Sequence, residues 1–486
     1  MSFLDAEKWH GRIFTGSWDT AVGGDATVVE PATGQELGRV GAAAPADVTA
    51  SAARAAEAQR AWAATPFQER AAILRRAGEL WNTHAAELKD WLIRESGSIP
   101  GKADFELHVA AGECFEASAL PSHALGELLP SEAPRLSMAK RVPAGVVGVI
   151  APFNAPLILS IRSVAPALAL GNAVLLKPDP RTAVCGGIAL ARVFEEAGLP
   201  AGVFHVLPGG ADVGTAMIED PHVRVISFTG STGAGRAVGE LAGRHLKRAH
   251  LELGGNSAMI VLDDADVETT TSAAAWGSFF HQGQICMTTG RHLVHESLYD
   301  SYVERLAETA GRLPVGNPAE AEVALGPIID ERQRDKIHGL VTSSADAGAR
   351  VAAGGEYEGL FYRPTVLAGA KPGIPAYDDE VFGPVAPVAS FRTIEEAAEL
   401  AAGSEYGLSL GILTKDVTRG LALAERIPTG IVHINDQTVN DEAHAPFGGV
   451  LASGTGSRFG GPKANIEAFT ETRWITLRGD VAGYPF

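Results

Sequence analysis

Val146-Val147-Gly148-Val149-Ile150-Ala151 is a short, uncharged apolar run, and the pattern that follows it decides the fold. A helix-like apolar stretch over 157–170 comes next, then a Gly171-Asn172 turn, then a second strand-like run over 173–176. Apolar runs of roughly five residues without in/out alternation are what strands buried on both faces look like. The pattern repeats downstream. Residues 183–197 read as a helix ended by Gly198-Leu199-Pro200, because glycine takes a left-handed cap and proline cannot continue the helix. Residues 203–207 read as a strand, 212–219 as a short helix and 223–228 as another strand. Short buried strands alternating with helices predict an α/β fold with a parallel, doubly wound sheet.

Upstream, residues 10–40 read as short strands and turns, with Gly23-Gly24 and Pro31-Ala32-Thr33-Gly34 as turn signals. Asp47 is expected to cap an alanine-rich helix running to about residue 63. Pro66 is expected to open the next helix, with Ile73, Leu74, Ala77, Leu80 and Trp81 on one face. A third helix is expected through Phe105, Val109 and Cys114. After Gly255 a second α/β pattern begins with a strand over 257–262 and a helix from Asp266 through Phe280, and it continues to about residue 450. The tail over 468–478 alternates Phe469, Glu471 and Arg473 with Thr470, Thr472 and Trp474, as an extended strand does. It has no local hairpin partner, so it is expected to pair with a distant element or with another subunit.

At 486 residues the chain is longer than one ordinary core, so two or three domains are expected. With 46% hydrophobic and 20% charged residues it has the composition of a folded protein, not a disordered one. A formal net charge of −18 argues against nucleic acid and anionic membranes as partners. Cys114, Cys185 and Cys286 are too few for a disulfide framework and suit a reducing compartment. Met1-Ser2-Phe3-Leu4-Asp5-Ala6-Glu7 carries no signal-peptide pattern, so a cytoplasmic location is expected. No uncharged apolar run reaches transmembrane length, since Arg162 and Pro166 break even the 157–170 stretch.

Several short motifs carry chemistry. Phe280-His281-Gln282-Gly283-Gln284-Ile285-Cys286 puts one cysteine just past a Gly-Gln pair. A free thiol titrates near pH ~8.5, so a nucleophilic cysteine needs help from a helix N-terminus or a nearby cofactor charge. Cys114 and Cys185 lie in helical patterns without adjacent polar machinery and read as buried structural residues. Glu252 lies between His250-Leu251 and Leu253-Gly254-Gly255. A carboxylate in apolar surroundings has a raised pKa and can take a proton from water, although a strand-end salt bridge has the same appearance. Pro152-Phe153-Asn154-Ala155-Pro156 holds an asparagine between prolines, either as a turn or with its amide aimed at a developing oxyanion. Lys177-Pro178 follows a strand end, where a lysine either bonds ribose hydroxyls or is solvated. Phe228-Thr229-Gly230-Ser231-Thr232-Gly233-Ala234-Gly235 is either a pyrophosphate-binding turn or an ordinary glycine-rich one, and its spacing is not G-x-G-x-x-G. His281, His433 and His444 match no metal-ligand spacing, so no metal is expected.

Taken together and in this order, these motifs resemble the aldehyde dehydrogenase superfamily over nearly the whole chain. Glu380-Val381-Phe382-Gly383-Pro384 and Pro446-Phe447-Gly448-Gly449 add to the resemblance. It implies a Rossmann-type cofactor domain (1–120 and 143–254), an α/β catalytic domain (255–460) and a small β oligomerisation flap (121–142 with 461–486). It implies Cys286 as nucleophile, Asn154 with the Cys286 amide as oxyanion holders, and Glu252 as the base that activates water. Pro152, Phe153, Lys177, Gly230, Ser231, Gly235, Gly254, Glu380 and Phe382 are the implied NAD or NADP contacts. Lys177 is assigned to the adenosine ribose, Ser231 to the pyrophosphate, and Glu380 and Phe382 to the nicotinamide ribose and ring. The implied reaction runs through a thiohemiacetal, hydride loss, a thioester and hydrolysis to the acid. A homodimer or homotetramer is also implied.

Some features narrow the resemblance. His281-Gln282-Gly283-Gln284-Ile285-Cys286-Met287, Lys177-Pro178-Asp179-Pro180-Arg181-Thr182 and Ile434-Asn435-Asp436-Gln437-Thr438-Val439 look like the branch that oxidises benzaldehyde, vanillin or salicylaldehyde. Pro180 stands where many NAD-preferring relatives carry a ribose-binding glutamate, which leaves NAD and NADP both open. The rivals are a CoA-acylating enzyme, an oxidant of aliphatic aldehydes or semialdehydes, a non-catalytic relative, and a cysteine hydrolase. Glu252 disfavours the first, and the last needs a histidine partner for the thiol that is not readable.

Overall fold

The computed structural model describes residues 2–486; Met1, the first residue of the stretch read for a signal peptide, lies outside them. Its first sheet holds five parallel strands in the spatial order Arg248–Glu252, Val223–Thr229, Val146–Ile150, Ala173–Lys177, Phe204–Val206. The hairpin Arg12–Phe14 with Trp18–Thr20 extends it antiparallel. Val146–Ile150 and Ala173–Lys177 are buried along their whole length. Their side chains alternate between two cores, with Val147, Val149, Val174 and Leu176 on one face and Val146, Ile150, Ala173 and Leu175 on the other. This is why the sequence reads as unbroken apolar runs.

Strand order reverses beside Val146–Ile150. The next two strands in the chain lie to one side of it, and Val223–Thr229 returns to the other. Such a switch point opens a crevice at the strand carboxyl ends. A second sheet runs Arg350–Ala353, Thr365–Ala368, Val385–Phe391, Thr289–His295, Ser257–Val261, Ser409–Leu413, Ile431–Ile434, parallel except for the first strand. A small antiparallel sheet joins Gly126–Leu129, Leu136–Pro143 and Thr470–Leu477. The tail strand thus pairs with a distant element of its own chain, Thr470 opposite Pro143 through Leu477 opposite Leu136.

Local readings differ in places. Asp47 is not the cap of its helix but its third residue; Ala44 is the N-cap of Pro45–Ala64. The Asp47 carboxylate accepts from the Ala44 amide at 2.8 Å and from the Val22 amide at 3.0 Å, tying the helix start to an upstream turn. Two helices, Ala85–Ser96 and Pro100–Ala119, stand where one was expected. Residues 468 and 469 close the helix Gly461–Phe469 instead of opening the tail strand, because both are buried in the first core. The 183–197 helix begins with a wide π turn, Val184–Ile188, before Ala189–Ala197. No helix among the described residues is long and apolar enough to cross a membrane.

Candidate active site

The switch-point crevice is the mouth of a cleft of about 660 Å³. Pro152, Phe153 and Asn154 enter it from the loop after Val146–Ile150, and Lys177 from the last position of its strand. Gly230, Ser231 and Gly254 line it beside Cys286, Glu380 and Phe382 from the second α/β unit. Two expected residues are not part of its wall. Gly235 faces Leu253, where an added Cβ would come within 2.2 Å of a Leu253 methyl, so it serves packing instead of ligand contact. Glu252 ends its strand beneath the cleft surface, 2% exposed.

The cleft has the donors and the space a dinucleotide needs. Lys177 is a buried residue, and its ammonium makes no hydrogen bond among the described residues. Burial lowers its pKa while the Asp179 and Asp212 carboxylates oppose that shift. Ser231 caps the helix Thr232–Arg244, leaving a helix N-terminus aimed at the cleft as an anion site. Gly254 passes so close to Glu380 that a Cβ there would fall 2.2 Å from Oε2. Glu380 Oε1 accepts from the Gly255 amide at 3.0 Å, and burial raises this carboxyl to about 7. Phe382 takes a left-handed backbone (φ 55°) and meets the Phe153 ring edge-on at 5.9 Å. Among the described residues, no group of three or more His, Cys, Asp or Glu is arranged to hold a metal ion.

Cys286 is half-buried in a turn ahead of the strand Thr289–His295, not at a helix N-terminus. The segment before it is strained. His281, Gln282 and Gly283 are left-handed in succession, with φ of 49°, 56° and 64°. Such conformations persist only where the surroundings over-determine them. Gln282 supplies the anchor, donating to the Gly97 carbonyl at 3.1 Å and the Pro327 carbonyl at 2.9 Å. Gly283 has no room for a side chain, since a Cβ would lie 2.1 Å from the Gly383 carbonyl oxygen. Burial, with the Glu380 carboxylate next, pushes the Cys286 thiol up to about 12. On its apolar side Cys286 packs against a cluster of Met287, Leu408 and Phe447, which Ile285, Ile431 and Val439 also cover.

Neither Glu252 oxygen makes a hydrogen bond of normal geometry, and no salt bridge takes the carboxylate. Burial lifts its pKa well above the usual range, against the pull of the Arg162 and Arg458 guanidinium groups. Cys114 and Cys185 are buried as expected. Cys185 does have polar company, however: the Val184 and Cys185 amides donate to Glu95 at 2.8 and 2.7 Å. Spacing gave no signal for Glu95, which lies about ninety residues away in the chain.

Two further groups were not foreseen. Arg162 is 1% exposed, pairs with Asp441, lies 4.4 Å over the Phe447 ring, and is close enough for the charges of Cys286 and Glu252 to act on it. A lone charge eight residues past Asn154, in a helix otherwise uncharged and wholly buried, was the available signal. Lys102 and Glu106 form a buried pair behind Asn154. His281 faces the same Asn154 backbone, and burial together with the Lys102 charge keeps its ring neutral.

The profile described as "Aldehyde dehydrogenase family" matches residues 18–475. The chain belongs to the aldehyde dehydrogenase family. As such it is an NAD(P)-dependent enzyme that oxidises an aldehyde to a carboxylic acid. This aldehyde dehydrogenase is 82% identical over 486 residues, all of both chains, to a vanillin dehydrogenase of an Amycolatopsis species. It is 52% identical over 479 residues, 98% of each chain, to a Pseudomonas putida benzaldehyde dehydrogenase [NAD(+)]. The crystal structure of a salicylaldehyde dehydrogenase from Pseudomonas putida G7 complexed with salicylaldehyde superposes with a TM-score of 0.94 at 34% identity, covering 98% of this chain and 99% of that one.

Proposed function

We propose that the substrate is an aromatic aldehyde and that Cys286, Glu252 and Asn154 carry the reaction. One observation carries the reading: Cys286 and Asn154 line a cleft of dinucleotide size, and an unpaired buried carboxyl, Glu252, lies beneath it near enough for its charge to act on the thiol. Cys286 lies between this cleft and a small apolar cluster of Met287, Leu408 and Phe447, so the surroundings of the thiol are apolar on that side. The three relatives above, named for vanillin, benzaldehyde and salicylaldehyde, support the same class.

Cys286 gives its thiol proton to water, its Sγ bonds to the aldehyde carbon as the carbonyl π bond breaks, and the carbonyl oxygen gains the negative charge. The Asn154 amide and the Cys286 N–H stabilise that oxygen in the resulting thiohemiacetal. Bound NAD(P) supplies the hydride acceptor that turns this adduct into a thioester. Glu252 then takes a proton from water, whose oxygen attacks the thioester and releases the acid and the Cys286 thiolate. Lys177, Ser231 and Glu380 would hold the adenosine ribose, pyrophosphate and nicotinamide ribose of NAD(P). Water, not CoA, is the acyl acceptor because Glu252 stands ready to activate it. Residues 121–142 with 461–486 form the oligomerisation flap of a homodimer or homotetramer, beside a cofactor domain (1–120 and 143–254) and a catalytic domain (255–460). The exposed Trp474 and Leu477 on the tail strand support an assembly role.

NADH formation with benzaldehyde, vanillin and acetaldehyde tests the substrate. A kcat/KM at least about tenfold higher for the aromatic pair is expected, within what pocket shape supplies. Acetaldehyde preference would sink the aromatic reading, and activity that requires CoA would sink the hydrolytic one.

A further inference from the structure

Asn154 sits in a turn gripped from behind by a buried ion pair. Lys102 and Glu106 lie one turn apart on the helix Pro100–Ala119 and pair directly, their side chains 3% and 0% exposed. Lys102 Nζ donates to the Asn154 carbonyl oxygen at 2.7 Å. Glu106 Oε2 accepts from the Leu157 amide at 3.0 Å. The helix Pro156–Ala169 has Ala155 at its N-cap and no side chain of its own to cap it, so Glu106 supplies the cap from another helix. The pair therefore fixes the backbone that leaves the Asn154 side chain, at its own carbonyl and at the Leu157 amide three residues on.

Stability alone gives little reason for such a pair, since apolar replacements of buried ion pairs are often neutral or stabilising. Orientation gives a stronger one. A group held by its own rotamer alone wanders, and a misplacement of about 1 Å at a reacting centre costs on the order of a hundredfold in rate.

We infer that Lys102, held by Glu106, is a positioning residue that aims the Asn154 amide at the developing oxyanion. This rests on the reading that Asn154 holds that oxygen.

The test is the first-turnover burst of NADH with benzaldehyde and saturating NAD, read alongside NAD affinity. Lys102→Met/Glu106→Gln removes the donor to Asn154 while keeping an acceptor for the Leu157 amide and leaving no lone buried charge. The burst rate is expected to fall roughly tenfold to a hundredfold, short of the on the order of 10²–10³ that a deleted oxyanion donor costs, with NAD affinity within about twofold of the parent. Lys102→Gln/Glu106→Gln restores an N–H donor and is expected to recover most of the rate. In an Asn154→Ala background the Met/Gln pair is expected to change the burst less than about twofold, because groups acting through one another are non-additive. If the Met/Gln protein is not recovered folded, Lys102→Leu/Glu106→Leu is read in its place. An unchanged burst, or a full additional loss in the Asn154→Ala background, overturns the inference. An Asn154→Ala protein with a normal burst overturns both the inference and the oxyanion reading beneath it.

Discussion

Gly254 and Glu380 share a space that admits no side chain: a Cβ on Gly254 would stand 2.2 Å from Glu380 Oε2, while the next amide, Gly255, donates to Oε1 at 3.0 Å. The carboxylate is therefore placed by backbone alone. Gly254→Ala pushes it off the Gly255 amide and into the cleft. NAD affinity measured by fluorescence titration is expected to fall about tenfold or more, equivalent to about 1.4 kcal/mol. Unchanged affinity would mean that Glu380 does not meet the dinucleotide.

Glu252 combines a catalytic and a stability consequence. Its pKa is raised by burial, so the neutral acid is the favoured form in the folded state. The base form grows as pH rises, and thioester hydrolysis is expected to accelerate with pH above the ordinary carboxylate range. Glu252→Gln is expected to give one equivalent of NADH per site and then stall. The linkage sign follows from the raised folded pKa. Between the unfolded and folded values the folded chain binds the extra proton, so stability falls as pH rises through that window. Glu252→Gln is thus expected to melt higher than the parent at pH ~8, with the gap shrinking at pH ~4. A gap that widens in acid would contradict the burial argument.

The strand–helix alternation was legible because strands such as Val146–Ile150 are buried on both faces, and burial on both faces writes itself as an uninterrupted apolar run. Cys286, Glu252 and Asn154 were legible because short motifs surround each. The helix break at His84 was not. One residue with φ −102° and ψ 15° ends Phe67–Thr83 and begins Ala85–Ser96, with no glycine or proline to mark it. Lys102, Glu106 and Arg162 stayed hidden for a different reason. Each reads locally as a charge on a helix, and only the packing of Pro100–Ala119 against Pro156–Ala169 brings the pair behind Asn154.

Cys286 in the cofactor-free protein is a thiol, not a thiolate, because burial and Glu380 push its pKa up to about 12. Iodoacetamide labelling is expected to be slow at neutral pH and still rising at pH ~10, since the thiolate is the reactive form. The positive nicotinamide ring of NAD+ would favour the thiolate, so added NAD+ is expected to speed labelling. Burial likewise pushes Cys114 up to about 12 and Cys185 well above the ordinary thiol range, so Cys286→Ala is expected to label hardly at all. Fast labelling without NAD+ at neutral pH would show that another group activates the thiol.

Cofactor choice turns on the surroundings of Lys177. Arg181, the nearest alternative cation for a 2′-phosphate, is committed: it donates to Asp179 at 2.8 Å and Asp330 at 2.7 Å and lies 4.1 Å over the Phe153 ring. Burial works to raise the Asp179 carboxyl, yet Arg181 holds it below the usual range, so it is ionised. Lys177 thus faces Asp179 and, from the first turn of Ala211–Glu219, Asp212. A 2′-phosphate would share that space with two carboxylates, which offsets the absence of a glutamate at Pro180. NAD is expected to bind at least about tenfold more tightly than NADP in parallel titrations. Asp212 is exposed, so salt screens it. Asp212→Asn is therefore expected to narrow the gap at low ionic strength and to change little in about 1 M salt. Tighter binding of NADP would mean that the Lys177 ammonium outweighs both carboxylates, and that Pro180 alone decides the preference.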